Sequence, residues 1–349
     1  KQEEIENPVN LKTGPFDIAF VVIFLMPIFI LAMSYDLLSS EQERGTLAMV
    51  LAHPISLRKL MGSKLIARAV LMLAVVLMFG LAAVLTVGTD LQNPDTWARF
   101  ATWIAATLLY SLFWFALAVL VNAFGRNSAT NGIILAGAWL VFVVIVPTIV
   151  SMSATTAYPA PSRYDFMAAS REAQTQAEFE RMKALDAYYY DHLELVPGAE
   201  DKANDFLTLA LANNMAVEKA IRPLFDKFTE QRDAQERLVN RFQYFSPAIM
   251  MQLALNEASG TSNGRYASFM KQVFAFHEEW KTFFTVKFLK REPLSLAEFD
   301  KIPHFQYAEQ PMGTVMGRIA PSLIGLLCVV SGLMFVAFGV LRRYQVAAR

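Results

Sequence analysis

The run DLLSSEQERGTLAMVLAHPISLRKLMGSKLIAR, from Asp36 to Arg68, is a charged interruption between two long apolar runs. Ser40 and Glu43 stand at capping-box spacing, which predicts a helix start there. Leu47, Val50 and Leu51 then share one face of that helix, while Glu41, Glu43 and Arg44 crowd its first turn. Pro54 stops it, and Ser56 is placed to cap the helix that follows. A short amphipathic helix between two membrane spans is a candidate contact for something outside the membrane.

The flanking runs belong to a larger set. A bilayer span needs about 20 apolar residues, and five stretches meet that length: Phe16–Ser39, Leu65–Gly88, Phe100–Phe124, Ala129–Met152 and Met316–Leu341. None carries a charge in its middle, and Trp97, Trp103 and Tyr110 flank or enter the third as interfacial aromatics do. Lys and Arg collect in alternate loops: Arg44, Arg58, Lys59 and Lys64 after the first span, Arg126 after the third, and Arg342, Arg343 and Arg349 after the fifth. By the positive-inside rule these segments are expected in the cytoplasm. Arg58 and Lys59 oppose the helix dipole, and attraction to anionic membrane lipid offsets that. The opposite side holds Asp90, Asp95 and Arg99, and an acid-leaning start with Glu3, Glu4 and Glu6. An outside start with no span before it inserts poorly, so a further helix is expected upstream of Lys1, giving six in the complete protein.

Between the last two spans lies a polar insert that begins with Tyr158-Pro159-Ala160-Pro161. Helices are expected over Phe166–Leu195, ended by Pro197-Gly198, and over Glu200–Phe245 with a bend or break at Pro223. Pro247–Glu257 and Tyr266–Leu289 follow, and Ser295 with Glu298 repeats the capping-box pattern. The expected fold is an all-α membrane protein: an extracytoplasmic segment over residues 1–15, then four transmembrane helices over 16–152 with a cytoplasmic loop at 40–64. A helical extracytoplasmic domain over 153–315 and a last span with a basic tail over 316–349 complete it.

Composition narrows the function. Of 349 residues, 55% are hydrophobic and 18% charged, and the net charge is zero, so nothing in the charge pattern favours a nucleic-acid partner. The single cysteine, Cys328, excludes an intrachain disulfide. No glycine loop ending in Gly-Lys-Ser/Thr is present, since Gly62-Ser63-Lys64 has the wrong order, so nucleotide chemistry belongs to another chain. His277-Glu278-Glu279-Trp280-Lys281 begins like a zinc-protease helix but has Lys281 where the second histidine belongs. His53, His192 and His304 are isolated, and no nucleophile sits in a catalytic setting, so no enzyme activity, metal or cofactor is expected in this chain. Spans without buried charge argue against ion coupling. Gly313, Gly317, Gly325 and Gly332 in the last span form a small-residue seam, equally suited to packing within the chain or against a partner subunit.

Glu43-Arg44-Gly45-Thr46-Leu47, Leu51, Pro54-Ile55-Ser56, Lys59-Leu60 and Gly62 to Lys64 together resemble the cytoplasmic loop of ABC-2-type transporter permeases. Leu57 replaces the family's usual arginine, with Arg58 one residue later, and Ser63 separates the glycine from the lysine. The five spans fit the same family, and the insert looks like that of a subgroup related to gliding-motility and nitrous-oxide-reductase-maturation permeases. The resemblance implies a coupling helix docked on a separate cytoplasmic ATPase, which holds the ATP and Mg. Glu41, Glu43, Arg44 and Thr46 would form the contact, Gly45 would permit close approach, Leu47, Val50 and Leu51 would anchor the helix and Pro54 would end it. It further implies a dimer with a second permease copy or paralogue in the bacterial inner membrane, exporting a substrate. The alternatives are transmission of force to a periplasmic client without translocation, and a non-transporting scaffold or sensor with a purely interfacial helix.

Overall fold

The computed structural model describes residues 17–47, 49, 52, 56–86, 88, 90–124, 127–179, 183, 186, 187, 190, 191, 206–290 and 294–342. The expected segment over 1–15, the stop at Pro54 and the helix end at Pro197-Gly198 lie outside these residues. In chain order the helices are α1 (Ile18–Glu43, with a turn at 35–38), α2 (Leu57–Thr86), α3 (Pro94–Ala123), α4 (Ser128–Ala157) and α5 (Arg163–Phe179). They continue with α6 (Phe206–Phe242), α7 (Pro247–Ser259), α8 (Asn263–Lys290) and α9 (Met312–Arg342). No strand occurs among the described residues, so the fold is all-α. Five helices, α1 to α4 and α9, are long and apolar enough to cross a membrane.

Local chemistry sets where these helices begin. Asp17, Asn93, Asn127 and Ser246 each accept a backbone N–H of the following turn, at 2.8, 2.9, 2.8 and 3.3 Å, and so cap α1, α3, α4 and α7. α3 lies at the centre of the bundle, packed against α1, α2, α4, α7 and α9. Its Tyr110, Trp114 and Phe115 are fully buried. Tyr110 is therefore not an interfacial aromatic as its position suggested, because a partner for its hydroxyl exists inside the bundle.

That partner comes from a proline. Pro27 in α1 has no N–H to give the carbonyl four residues back, at Ile23, and the helix widens to a π turn over Val21–Leu25. The Tyr110 hydroxyl donates to Ile23 O at 3.0 Å, and Trp139 Nε1 of α4 donates to the adjacent Phe24 O at 3.2 Å. α4 repeats the arrangement: a π turn over Leu140–Ile145 precedes Pro147, and Phe142 O accepts from Ser246 Oγ at 2.5 Å. A π-type bond from Phe142 O would have reached Pro147, which has no donor, so the serine replaces it.

The chain forms two units, one of residues 1–151, 239–265 and 310–349 and the other of residues 152–238 and 266–309. The expected 153–315 domain is thus not one piece. Residues 239–265 belong with the spans, because α7 buries Ile249, Met250, Met251, Ala254 and Leu255 against α3 and α9. A helix with so many buried residues needs packing partners on most sides, and 13 residues are too few to span. Gln243 in the turn before α7 is buried and satisfied, accepting from Ser322 at 2.7 Å and donating to Asn240 O at 2.8 Å. Glu257 near the end of α7 is also buried and accepts from Arg318 Nε of α9 at 2.9 Å.

The second unit is held by aromatic edges and a few polar ties. Phe166 meets Phe225 and Phe228 edge-on, with centroids 6.3 and 6.0 Å away, and Phe225 meets Phe274 at 5.2 Å. Gln272 exchanges two hydrogen bonds with the Ala308 backbone, at 2.9 and 2.8 Å. α6 runs through Pro223 without a break. The Ser295–Glu298 capping box is present, although it starts a short 3₁₀ turn, Leu296–Lys301.

Candidate functional site

Glu43-Arg44-Gly45-Thr46 closes a helix and does not open one. Gly45 has φ +69°, its N–H donates to Gln42 O at 3.2 Å, and Thr46 N–H donates to Glu41 O at 3.0 Å. These two bonds and the left-handed glycine make a Schellman end for α1. The Thr46 hydroxyl adds a third contact to Glu41 O at 3.3 Å. The expected capping box is absent because the Glu43 carboxylate is used elsewhere. Its Oε1 accepts the Ser128 N–H at 2.6 Å, the first helical residue of α4, where a negative charge complements the dipole. A Cβ on Gly45 would touch nothing within 4 Å, so this glycine serves the turn's φ and not a close approach.

Two ion pairs tie the end of α1 to α2. Lys64 Nζ donates to Glu41 Oε1 and to Leu37 O, the latter at 2.9 Å. Arg68, one turn further along α2, lies 3.7 Å from Asp36. Both pairs are partly shielded from solvent, which lets them hold geometry better than open surface pairs do.

Behind the charges lies an amide network. Asn122 at the end of α3 is 1% exposed; its Nδ2 donates to Ser34 O at 3.0 Å and Ala118 O at 2.9 Å, and its Oδ1 accepts from Leu38 N at 3.3 Å. Asn131 of α4 donates to Asn122 Oδ1 and to Ser39 Oγ, both at 3.4 Å, and Ser128 Oγ donates to Ser39 Oγ at 2.9 Å. The backbone groups loosened where α1 turns at 35–38 are thus satisfied by neighbouring spans. Asn122 and Asn131 escaped the sequence reading. Two amides bracketing a short turn between apolar runs were the available signal.

Of the sequence-predicted contact residues, Glu41, Glu43, Gly45 and Thr46 are engaged within the chain. Arg44 is exposed, its backbone N–H donates to Ser40 O at 3.1 Å, and its side chain has no hydrogen-bond or ion-pair partner among the described residues. Leu47 is buried, as an anchor requires, while Val50, Leu51 and Pro54 lie outside the described residues. Ser56 accepts Lys59 N at 3.3 Å and caps the start of α2 as expected. Among the glycines of α9, only Gly325 packs closely: a Cβ there would meet Met250 Sδ at 2.8 Å and the Tyr244 ring at 2.9 Å. Gly313, Gly317 and Gly332 face open space. The seam is therefore an intrachain contact at one position. Among the described residues no group of three or more His, Cys, Asp and Glu lies close enough to hold a metal ion.

A helix end locked to three neighbouring spans, with one exposed arginine at its tip, has the form of a mechanical joint in a membrane bundle. The sequence model of the ABC-2 family transporter proteins matches residues 2–340. The chain belongs to that family. It is 32% identical over 133 residues to the probable ABC transporter permease protein NosY of Stutzerimonas stutzeri, covering 37% of this chain and 48% of the relative. It is 27% identical over 125 residues to the protein of the same name from Pseudomonas aeruginosa, covering 35% and 46%. The chain thus spans about half the length of the curated relatives it matches. Membership, together with the five helices long and apolar enough to span, makes it a multi-pass membrane protein of the ABC-2 transporter family.

Proposed function

We propose that this chain is the permease of an ATP-driven exporter in a bacterial inner membrane, taking force from a separate cytoplasmic ATPase through the turn at Arg44–Thr46. ATP and Mg reside on that ATPase, and two permease subunits, identical or paralogous, form the transport path. The observation that carries this reading is the joint. Glu43 holds α4, Glu41 and Asp36 hold α2, and Asn122 holds the turn of α1 to α3. A push on the exposed Arg44 is then shared by four spans.

The test is the full permease reconstituted with its ATPase. Arg44→Glu should weaken their association about tenfold, the scale of one interfacial charge contact, and reduce transport-linked ATP hydrolysis. Unchanged association and activity in Arg44→Glu would overturn the docking assignment.

A second reading keeps the ATPase and replaces translocation with force delivered to a client outside the cytoplasm. It is favoured by the second unit, a helical body with its own aromatic and polar contacts. ATP hydrolysis stimulated by a client, with no solute moved, would select it.

A further inference from the structure

At the end of the bundle opposite the joint, the spans enclose a cavity of about 520 Å³. Four elements wall it: the start of α1, the last turns of α2, the first turns of α3, and the end of α7 with the turn after it. The size falls within the range of about 300–1,000 Å³ usual for small-ligand sites. Ile18, Ala83, Val84, Phe100, Trp103 and Leu255 make its apolar wall. Phe100 and Trp103 stack with centroids 6.4 Å apart, and Gly80 lets both rings lie against α2, since a Cβ there would stand 3.1 Å from each. Ile18 is 43% exposed, so the hollow is not sealed from its surroundings.

Polar groups gather at one rim: Thr96, Arg99, Asn256, Ser259 and Thr261. Most are committed. Thr96 Oγ1 donates to Asp90 O at 2.9 Å, and Ser259 Oγ donates to Leu255 O at 2.8 Å. The nearby Asp17 carboxylate accepts from Phe20 N. Asn256 differs. Its Oδ1 accepts from Gln252 at 2.8 Å, while its Nδ2 has no partner among the described residues. The rim therefore offers the two N–H donors of the Asn256 amide, the chemistry that takes ester or phosphate oxygens.

An apolar hollow in the terminal turns of membrane spans, with donors at one edge, has the polarity of a lipid molecule. We infer that this cavity binds one hydrocarbon tail of a membrane phospholipid, with a head-group oxygen taken by the Asn256 amide. The inference needs only that α1 to α3 lie in a membrane, and it stands apart from the coupling role of the joint.

The experiment uses the full chain in phosphatidylethanolamine and phosphatidylglycerol vesicles doped with a phosphatidylethanolamine bearing a photoreactive diazirine on its acyl chain. After illumination, labelled residues are mapped by peptide mass spectrometry. Labelling at Trp103 and Leu255 should exceed that at Phe79 and Leu85, which face outward on α2 at 60% and 66% exposure. Ala83→Trp, which fills the hollow, should abolish the excess. Asn256→Asp, which keeps the shape and removes the donors, should lower it about fivefold, the share of one hydrogen bond. Labelling of the cavity no greater than that of the outward face, or an excess indifferent to both substitutions, would overturn the inference.

Discussion

Single residues decide whether the joint is rigid. Asn122 is the clearest case, because it satisfies a carbonyl and an amide of the turn where α1 leaves helical geometry. Asn122→Leu keeps bulk but leaves Leu38 N–H and Ser34 O without that partner. Leaving such groups buried and unpaired costs about 1–3 kcal/mol. The full chain in detergent should therefore melt earlier, and the 35–47 backbone should exchange its amide hydrogens faster. An unaltered exchange pattern would show that the network is not what holds the turn. Gly45 and Glu43 illustrate a related point. Both have the right identity for their place, yet Gly45 ends α1 and Glu43 serves the start of α4, where the spacing of Ser40 and Glu43 implied a beginning at Ser40.

At the scale of elements, two spans carry the same device: a proline, a π turn before it, and a side-chain donor from another helix on a freed carbonyl. The pairing predicts coupling between residues distant in sequence. Tyr110→Phe should destabilise the chain by about 1–2 kcal/mol, since Ile23 O loses its donor. In a Pro27→Ala background the helix can supply its own N–H, so the same substitution should cost much less. A double-mutant cycle on thermal or denaturant stability checks this. Additive effects would mean that Tyr110 acts through packing alone. α7 makes a second point at this scale. Its place in the sequence put it in the polar insert, and the burial of Met250, Met251 and Leu255 against α3 and α9, with Gly325 close to Met250 and Tyr244, shows that it packs among the spans.

At the scale of the whole molecule, two carboxylates outside the spans are held below their ordinary range. The Lys287 ammonium beside Glu298, 2.6 Å away, together with hydrogen bonds from Ser295, lowers its carboxyl from an ordinary 4.5 to about 2. Asp165 is lowered as well, by the Ser162 hydroxyl and backbone N–H. A carboxyl held below its unfolded value stabilises the fold above that value and loses the contribution as pH falls through the folded one. For Glu298 the window runs from about 4.5 down to about 2. Melting of the full chain across that window should show acid destabilisation, and Lys287→Met should flatten it. Equal pH profiles for the two proteins would contradict the assignment.

The five spans, their alternating direction and the all-α class were legible because membrane burial demands long, uncharged, self-satisfied helices, and that demand is written locally. The family motif was legible for a similar reason: Gly45 is needed where the backbone turns left-handed, whatever surrounds it. Other features depended on partners far along the chain. Glu43 finds Ser128, Lys64 finds Glu41, and Tyr110 finds the carbonyl that Pro27 leaves unpaired. A carboxylate or hydroxyl can serve several nearby groups, and sequence spacing ranks only the local ones. Which partner wins is set by the packing of α1 to α4 around α3, and that packing alone turned a predicted helix start into the locked end of a span.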